Sequence, residues 1–447
     1  MLTRLRSWVQ RKDASFLFFF GGRLLAGILA ILTVKYVIAF LSREQYGEWG
    51  FLGVVAAVLV PIVSLQLPNA MMRMYFDHAD DAVAERRALV TSVGLSSAAG
   101  ALLVALGALA LWLAGVQSFV VTLYLVAVVT ARVGLNYFSY LTLARNDYGL
   151  FFFSKVFEAG TYLGLVTWAV FASRGGQEGE DPTGRLVWLT GALAITLWLL
   201  VAVNVVFYAR AGLLRVSARI RSFGGYRALL SYSLPLVPSF FFGWVLASSD
   251  VWVLRRLSSL VETADYVLAL ELVSVVALVQ QSALQDWPRF YYAKMRDGGE
   301  SRDSLIARRV RLFLTIHVAT IVVVRLIAAF AYDLLGATAY SAGLQYLGYL
   351  LLGNYWFLLG NVFAAGLGYA KRTRLILWAF ALPGVANVLL NLWLIPLWGG
   401  RAAAITTAAS YALFAALCFG FARKYYRFTE LSKVAGLSLL ATLAALL

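Results

Sequence analysis

Apolar residues run along this chain in long unbroken blocks, each close to the roughly twenty residues a helix needs to cross a bilayer core. Twelve blocks stand out: 16–41, 50–74, 89–113, 118–144, 150–173, 186–209, 229–255, 264–292, 308–331, 343–369, 375–396 and 401–422. The blocks are continuous rather than alternating, which predicts helices and argues against a transmembrane barrel. A thirteenth run, 434–447, is short and predicts a partial span or an interfacial helix. Residues 1–13 carry Arg4, Arg6, Arg11 and Lys12 ahead of the first block. No small-residue cleavage site follows, so the pattern reads as a signal anchor. The predicted fold is an all-α polytopic membrane protein of about twelve helices.

Composition agrees. Of 447 residues, 62% are hydrophobic and 13% charged, and the mean hydropathy is +0.79. Soluble domains are less apolar and about twice as charged, so a water-soluble enzyme and a disordered chain are both excluded. The formal charge of +16 would suggest nucleic acid in a soluble protein. Here the basic residues sit mainly between apolar blocks, where they set orientation instead. With the N-terminus in the cytoplasm, 25 of the 38 Lys and Arg fall in inner segments, 6 in outer loops and 7 within blocks. Cys418 is the single cysteine, so no internal disulfide forms. His78 and His317 are far apart and make no metal motif. The longest outer loop, 174–185, is too short for a catalytic module.

The second half echoes the first. LSREQY at 41–46 pairs with LSSLVETADY at 257–266. At an offset of 216, Gln66, Asn69 and Arg73 fall on Ser282, Gln285 and Arg289, and Tyr75 falls on Tyr291. At 218, Asn136 and Tyr137 fall on Asn354 and Tyr355. The expected organisation is a basic cytoplasmic segment (1–13), a six-helix lobe (14–209), a basic linker (210–228), a second six-helix lobe (229–424) and a tail (425–447). Two parallel repeats of this kind hold substrate between lobes and alternate access by rocking. Gly21-Gly22 in the first block and Pro235 with Pro238 in the seventh predict matched interruptions, the usual place for a site or hinge.

Seven basic residues lie inside blocks: Arg23, Lys35, Arg73, Arg132, Lys155, Arg289 and Arg325. Four acids join them, Glu158, Asp250, Glu271 and Asp286. A charge at a helix centre costs roughly 2.5–3.5 kcal/mol on insertion scales, so these side chains should face a wet cavity or one another. The balance is cationic, which predicts an anionic ligand, and guanidinium suits phosphate through paired hydrogen bonds. Candidate binding residues are Arg23, Arg73, Arg132, Arg289, Arg325, Gln66, Asn69, Gln285, Asn136 and Asn354. The acids Asp250, Glu271, Asp286 and Glu158 are candidates for coupling a proton or sodium ion; no other cofactor and no metal site is expected. The plainer readings are that Arg73 and Arg289 snorkel to the inner interface, that Lys155 and Glu158 neutralise each other at i, i+3, and that Asp250, Glu271 and Asp286 pair with nearby arginines.

Several stretches resemble a known family: REQYGEWGFL at 43–52, QLPNAMMRMYFD at 66–77, LARNDYGLFFFSKV at 143–156, SYSLPLVPSFFFGWVLASSDVWVL at 231–254 and LNLWLIPLWGGRAAAITTAAS at 390–410. Together they resemble Wzx-type polysaccharide flippases, within the superfamily that also holds multidrug extruders and lipid II flippases. Arg401 departs from that family's small-residue run, and the tail is shorter than in lipid II flippases. The resemblance implies a V-shaped two-lobed fold. It also implies translocation of an oligosaccharide on a polyprenyl diphosphate from the cytoplasmic to the outer leaflet. The expected setting is a bacterial cytoplasmic membrane, with the lipid-linked oligosaccharide and membrane lipids as partners, a polysaccharide polymerase and glycosyltransferases beyond them, and no nucleic acid. The rivals are a multidrug exporter of the same superfamily, a membrane glycosyltransferase, polymerase or ligase, and a non-transporting scaffold.

Overall fold

The computed structural model describes residues 12–77, 83–173, 182–214, 226–297, 302–425 and 442. Among them the chain is helical, with no strand. In the first half, α1 is Lys12–Phe40, α2 Arg43–Val63, α3 Leu67–Asp77, α4 Val83–Leu113 and α5 Phe119–Leu123. A π-helical segment, Tyr124–Val129, leads into α6, Thr130–Arg145; α7 is Tyr148–Ser173 and α8 Pro182–Arg210. In the second half, α9 is Tyr226–Ser233, α10 Leu236–Leu257, α11 Leu260–Asp297 and α12 Arg302–Leu335. A 3₁₀ turn, Thr338–Gly343, precedes α13, Leu344–Tyr369, and α14 is Thr373–Ala422. The N-terminal arginines, most of the 174–185 loop, most of the 210–228 linker and the 434–447 run apart from Thr442 lie outside the described residues.

Nine stretches among the described residues are long and apolar enough to cross a membrane. One of them contains two passes. α14 has 50 residues and would be roughly 75 Å long as a straight rod, far beyond a bilayer. Its backbone leaves helical geometry at Gly399, φ 55° and ψ −137°, between the two expected blocks. Two further helices, α7 with 26 residues and α11 with 38, are also long enough and carry charges within the run, Lys155 and Glu158 on one and Glu262, Asp265 and Glu271 on the other. Among the described residues the passes therefore number twelve, as expected, and the chain is a multi-pass helical membrane protein.

The chain packs as two compact units, Met1–Gln45 with Leu52–Phe241 and Tyr46–Phe51 with Phe242–Leu447. In the first, a core of Leu67, Met71, Leu89, Val93, Tyr137 and Leu141 joins α3, α4 and α6. In the second, the tilted rings of Phe357, Phe380 and Phe414 pack together across α13 and α14. The same unit takes the start of α2, where Arg255 Nε and Nη2 donate to the Glu48 carboxylate at 2.8 and 2.9 Å.

The matched sequence stretches start helices in the same way. At α2, Gln45 N–H donates to Ser42 Oγ at 3.3 Å and Ser42 N–H to Gln45 Oε1 at 2.9 Å, a reciprocal capping box. At α11, Glu262 N–H donates to Ser259 Oγ at 3.1 Å. The interruptions fall differently from expectation. α1 runs unbroken through Gly21-Gly22. The pair serves packing instead: a Cβ on Gly22 would stand 3.0 Å from Phe152 Cα. Pro235 does break the seventh pass, separating α9 from α10. A break the pattern did not announce parts α2 from α3, where Leu65 and Gln66 take φ of 49° and 54°.

Gly399 makes one sharp prediction. Its φ is positive, and a Cβ there would lie 2.2 Å from Glu262 Oε1. That carboxylate is fixed, because it accepts Gly400 N–H at 2.7 Å and the Tyr346 hydroxyl at 3.2 Å. Gly399→Ala adds backbone strain to a clash and is expected to destabilise the protein by about 2 kcal/mol or more, read as a lower midpoint of thermal unfolding in detergent. An unchanged midpoint would contradict the hairpin geometry.

Candidate functional site

Two polar constellations sit inside the apolar mass, one in each unit. The first is built on α1, α6 and α7. Gly22 lets α1 approach Phe152, and further along Leu29 Cδ1 lies 3.9 Å from a Cβ placed on Gly160. The two helices thus run parallel in near-constant register. That register puts Arg23 beside Phe151, with its guanidinium carbon 5.8 Å from the ring centre. Continuing along α7, Lys155 comes roughly 6 Å later and Glu158 about 4.5 Å beyond that, at 1.5 Å per residue. Lys155 Nζ is 3.6 Å from one Glu158 oxygen. Arg132 Nη1, reaching over from α6, is 3.6 Å from the other.

The π-helical segment sets Arg132's face. A widened turn rotates everything after it relative to a regular helix, and such segments recur at functional sites. It also frees carbonyls, which side chains then satisfy. The Thr130 hydroxyl donates to the Val126 carbonyl, and Trp198 Nε1–H donates to the Ala127 carbonyl at 2.9 Å. Arg132 follows directly. Its side chain is 39% exposed, that of Lys155 37% and that of Glu158 21%. Lys155 and Glu158 line a small open recess with Ser139, Thr142, Ser154 and Asn204, beside the apolar Leu135, Phe138, Phe151 and Leu200. Its lining mixes polar and apolar groups, and the Arg132–Glu158–Lys155 cluster at it carries one net positive charge.

The second constellation lies on α10, α11 and both arms of α14. Asp250 is buried, 1% exposed. Its Oδ2 accepts the Tyr266 hydroxyl and, at 3.1 Å, the Thr407 hydroxyl; its Oδ1 accepts Val251 N–H at 2.8 Å. Asn387 Oδ1 accepts the Ser249 hydroxyl and Asn391 Nδ2–H, each at 3.0 Å. Asn387 Nδ2–H reaches Thr407 Oγ1 at 3.4 Å. The Thr406 hydroxyl donates to Asn391 Oδ1 and, at 3.0 Å, to the Ala403 carbonyl. Asp250 therefore has no arginine partner among the described residues, contrary to the ion-pairing expectation. Hydroxyls and a backbone N–H hold it. Oxygen atoms predominate here, the donor type hard cations take.

The remaining candidates are scattered. Arg73 is exposed on α3 and lies 5.6 Å from the Tyr232 ring centre. Gln66 is buried in the α2–α3 turn, so the expected stripe of Gln66, Asn69 and Arg73 loses its first member; Asn69 is half-buried. Asn136 and Asn354 are half-buried on α6 and α13, and Glu271 is exposed on α11. The side chains of Gln285, Asp286 and Arg289 lie outside the described residues. Arg325 is exposed among Val323, Leu326, Ile327 and Phe330 on an apolar face of α12, an environment of lipid-facing type that does not suit the predicted ligand role. The neutral residues of the Asp250 network were not among the candidates. Asn387 and Asn391 at i, i+4 and the Thr406-Thr407 pair, polar within apolar blocks, were the available signal.

The fold is similar to that of several solved membrane transporters. One similar structure is an inward-facing multidrug resistance MATE family transporter of the MOP superfamily, 12% identical, with a TM-score of 0.65 over 91% of this chain and 96% of that one. Another is the lipid II flippase MurJ in an inward closed conformation, 12% identical, TM-score 0.66, over 97% and 92%. A third, from Pyrococcus furiosus, is a MOP superfamily transporter whose binding pocket is described as having reverse polarity, 11% identical, TM-score 0.61, over 92% and 95%. No protein-family model matches the chain, and no curated protein matches it. At such identities the likeness gives the fold, and the substrate must be argued from the chemistry of the recess.

Proposed function

We propose that this protein is a flippase of the Wzx type, carrying an oligosaccharide on a polyprenyl diphosphate from the cytoplasmic to the outer leaflet of a bacterial cytoplasmic membrane by alternating access. Its N-terminus lies on the cytoplasmic side. The observation that carries this reading is the charged cluster of the first unit, where Lys155 and Arg132 share one acid, Glu158. Cations at this depth are costly, and a cation-extruding site would need the opposite sign. A diphosphate can accept from the Arg132 guanidinium and the Lys155 ammonium at once. The inside-negative potential helps an anion outward by roughly 2.3 kcal/mol per charge per 100 mV.

Asp250 is the proposed coupling carboxylate. Asp250, Asn387, Asn391, Thr407 and the Ala403 carbonyl offer oxygens to a sodium ion, which would supply one positive charge to a carboxylate otherwise held only by dipoles. The test is reconstitution of the purified protein with a fluorescent polyprenyl-diphosphate sugar. Quenching from outside the vesicles should report transfer between leaflets, and a cationic dye should not be moved. Movement of the dye with no movement of the lipid would replace this reading by the multidrug one.

A further inference from the structure

α13 and α14 carry cations without counter-charge. Between Asp333 and Glu430 the chain has no acid. Lys371, Arg372, Arg374, Arg423 and Lys424, all in that stretch, are exposed and lie at one end of the second unit. The first three sit at the turn from α13 to α14, and the other two follow α14. The turn and the far end of α14 meet, because the Arg372 guanidinium carbon stands 5.7 Å from the Tyr425 ring centre. None of the five makes an ion pair among the described residues.

Local structure alone would choose other residues here. Lys371 closes α13 with φ 57°, a left-handed place that Gly or Asn fills at lower cost. Arg374 lies in the first turn of α14, which has no acid, although the helix dipole there favours one. The α6–α7 turn of the first unit meets the same geometry differently. Asn146 takes the φ of 57°, and Arg145 Nε donates to Asp147 at 2.8 Å. The α13–α14 turn thus bears a local cost to keep its charge exposed, and such departures mark functional places.

The surface beside the turn has lipid-facing character. Beyond Arg374, the exposed residues Trp378, Leu382 and Val385 follow one another on one face of α14. Arg374 to Val385 spans roughly 16 Å, about half the hydrocarbon core of a bilayer. A ligand matching this surface has a negative head and apolar chains one leaflet long. We propose that the five cations bind the headgroup phosphate of an anionic phospholipid, whose acyl chains lie along that face of α14. A zwitterionic headgroup brings its own cation to the patch and loses most of the attraction. The surface belongs to the second unit and the recess to the first, so this is a resident lipid and not the transported one.

The test adds phosphatidylglycerol or phosphatidylcholine to the delipidated full-length protein in detergent. Thermal unfolding is followed, and native mass spectrometry counts bound lipid. Phosphatidylglycerol is expected to raise the midpoint and phosphatidylcholine to leave it unchanged. In the double variant Lys371→Asn, Arg374→Gln, the phosphatidylglycerol needed for a half-maximal rise should increase at least ~10-fold. Its midpoint without lipid should stay level or rise, because Asn suits the left-handed position. Arg308→Gln with Arg311→Gln removes the same charge from exposed positions on α12 and should leave the response as in the wild type. Equal responses to the two lipids, or equal losses in the two double variants, overturn the proposal. A rise with a polyprenyl diphosphate and none with phosphatidylglycerol also overturns it and assigns the patch to the transported lipid. Should the first double variant prove unstable, Lys371→Gln with Arg374→Gln, read in the same way, decides the matter.

Discussion

Exchanging Arg132 for alanine is expected to slow transfer of a diphosphate lipid by at least ~100-fold while the protein stays folded. The two halves of that statement have separate causes. Arg132 and Glu158 are partly exposed and 3.6 Å apart, so losing the pair should cost no more than about 1 kcal/mol of stability. Glu158 also keeps Lys155 as a partner and is not stranded. A phosphate that has left water, by contrast, loses a planar donor able to grip two of its oxygens. Truncating one side of a desolvated, hydrogen-bonded charge pair costs roughly 2–5 kcal/mol. Arg132→Lys separates charge from shape: it restores the charge without the fork, and transfer should recover only in part. The check is leaflet transfer in vesicles beside thermal unfolding of the same preparation. Normal transfer by a stable Arg132→Ala protein would remove the recess from the pathway.

Arg132 also shows what a linear pattern can and cannot carry. That it is functional could be argued from its depth in an apolar block, because a guanidinium there has few cheap structural excuses. The i, i+3 relation of Lys155 and Glu158 was equally plain. Their meeting with Arg132 was not, since it depends on the packing of α6 against α7. The π-helical segment ahead of Arg132 was invisible, because Tyr124–Val129 reads YLVAVV and a uniformly apolar run has no polar marker to betray a shift of phase. Pass number was legible because a run of about twenty apolar residues is a length requirement, not a packing one. Breaks were less so. Gly21-Gly22 looked like a hinge and proved to be a contact surface for Phe152, while the turn at Leu65 and Gln66 has no glycine to mark it. Arg325 illustrates the remaining gap: depth alone does not say which way a side chain points, and its neighbours Leu326 and Phe330 are exposed with it.

The Asp250 network was hidden for another reason. Charges in apolar blocks attract notice, whereas Asn387, Asn391, Thr406 and Thr407 are neutral and cheaper to bury. Only the fold brings α10, α11 and α14 together around one carboxylate. That assembly makes the second large prediction. Sodium at about 100 times its dissociation constant should stabilise the wild type by about 2.7 kcal/mol, as any ligand of the folded state does, and Asp250→Asn should abolish that gain. The substitution keeps volume and one acceptor oxygen. Its amide removes the charge and presents N–H groups where the Tyr266 and Thr407 hydroxyls now donate. Those hydroxyls can rotate and accept instead, so the structural cost should stay within about 1–3 kcal/mol. The signature is therefore a loss of response and not only a lower midpoint: unfolding in sodium and in choline should coincide for the variant and differ for the wild type. Lipid transfer driven by a sodium gradient should disappear with it. Equal sodium stabilisation of wild type and Asp250→Asn would move the ion elsewhere. A wild type indifferent to sodium, yet driven by a proton gradient that Asp250→Asn no longer uses, would leave Asp250 as the coupling group and change the ion.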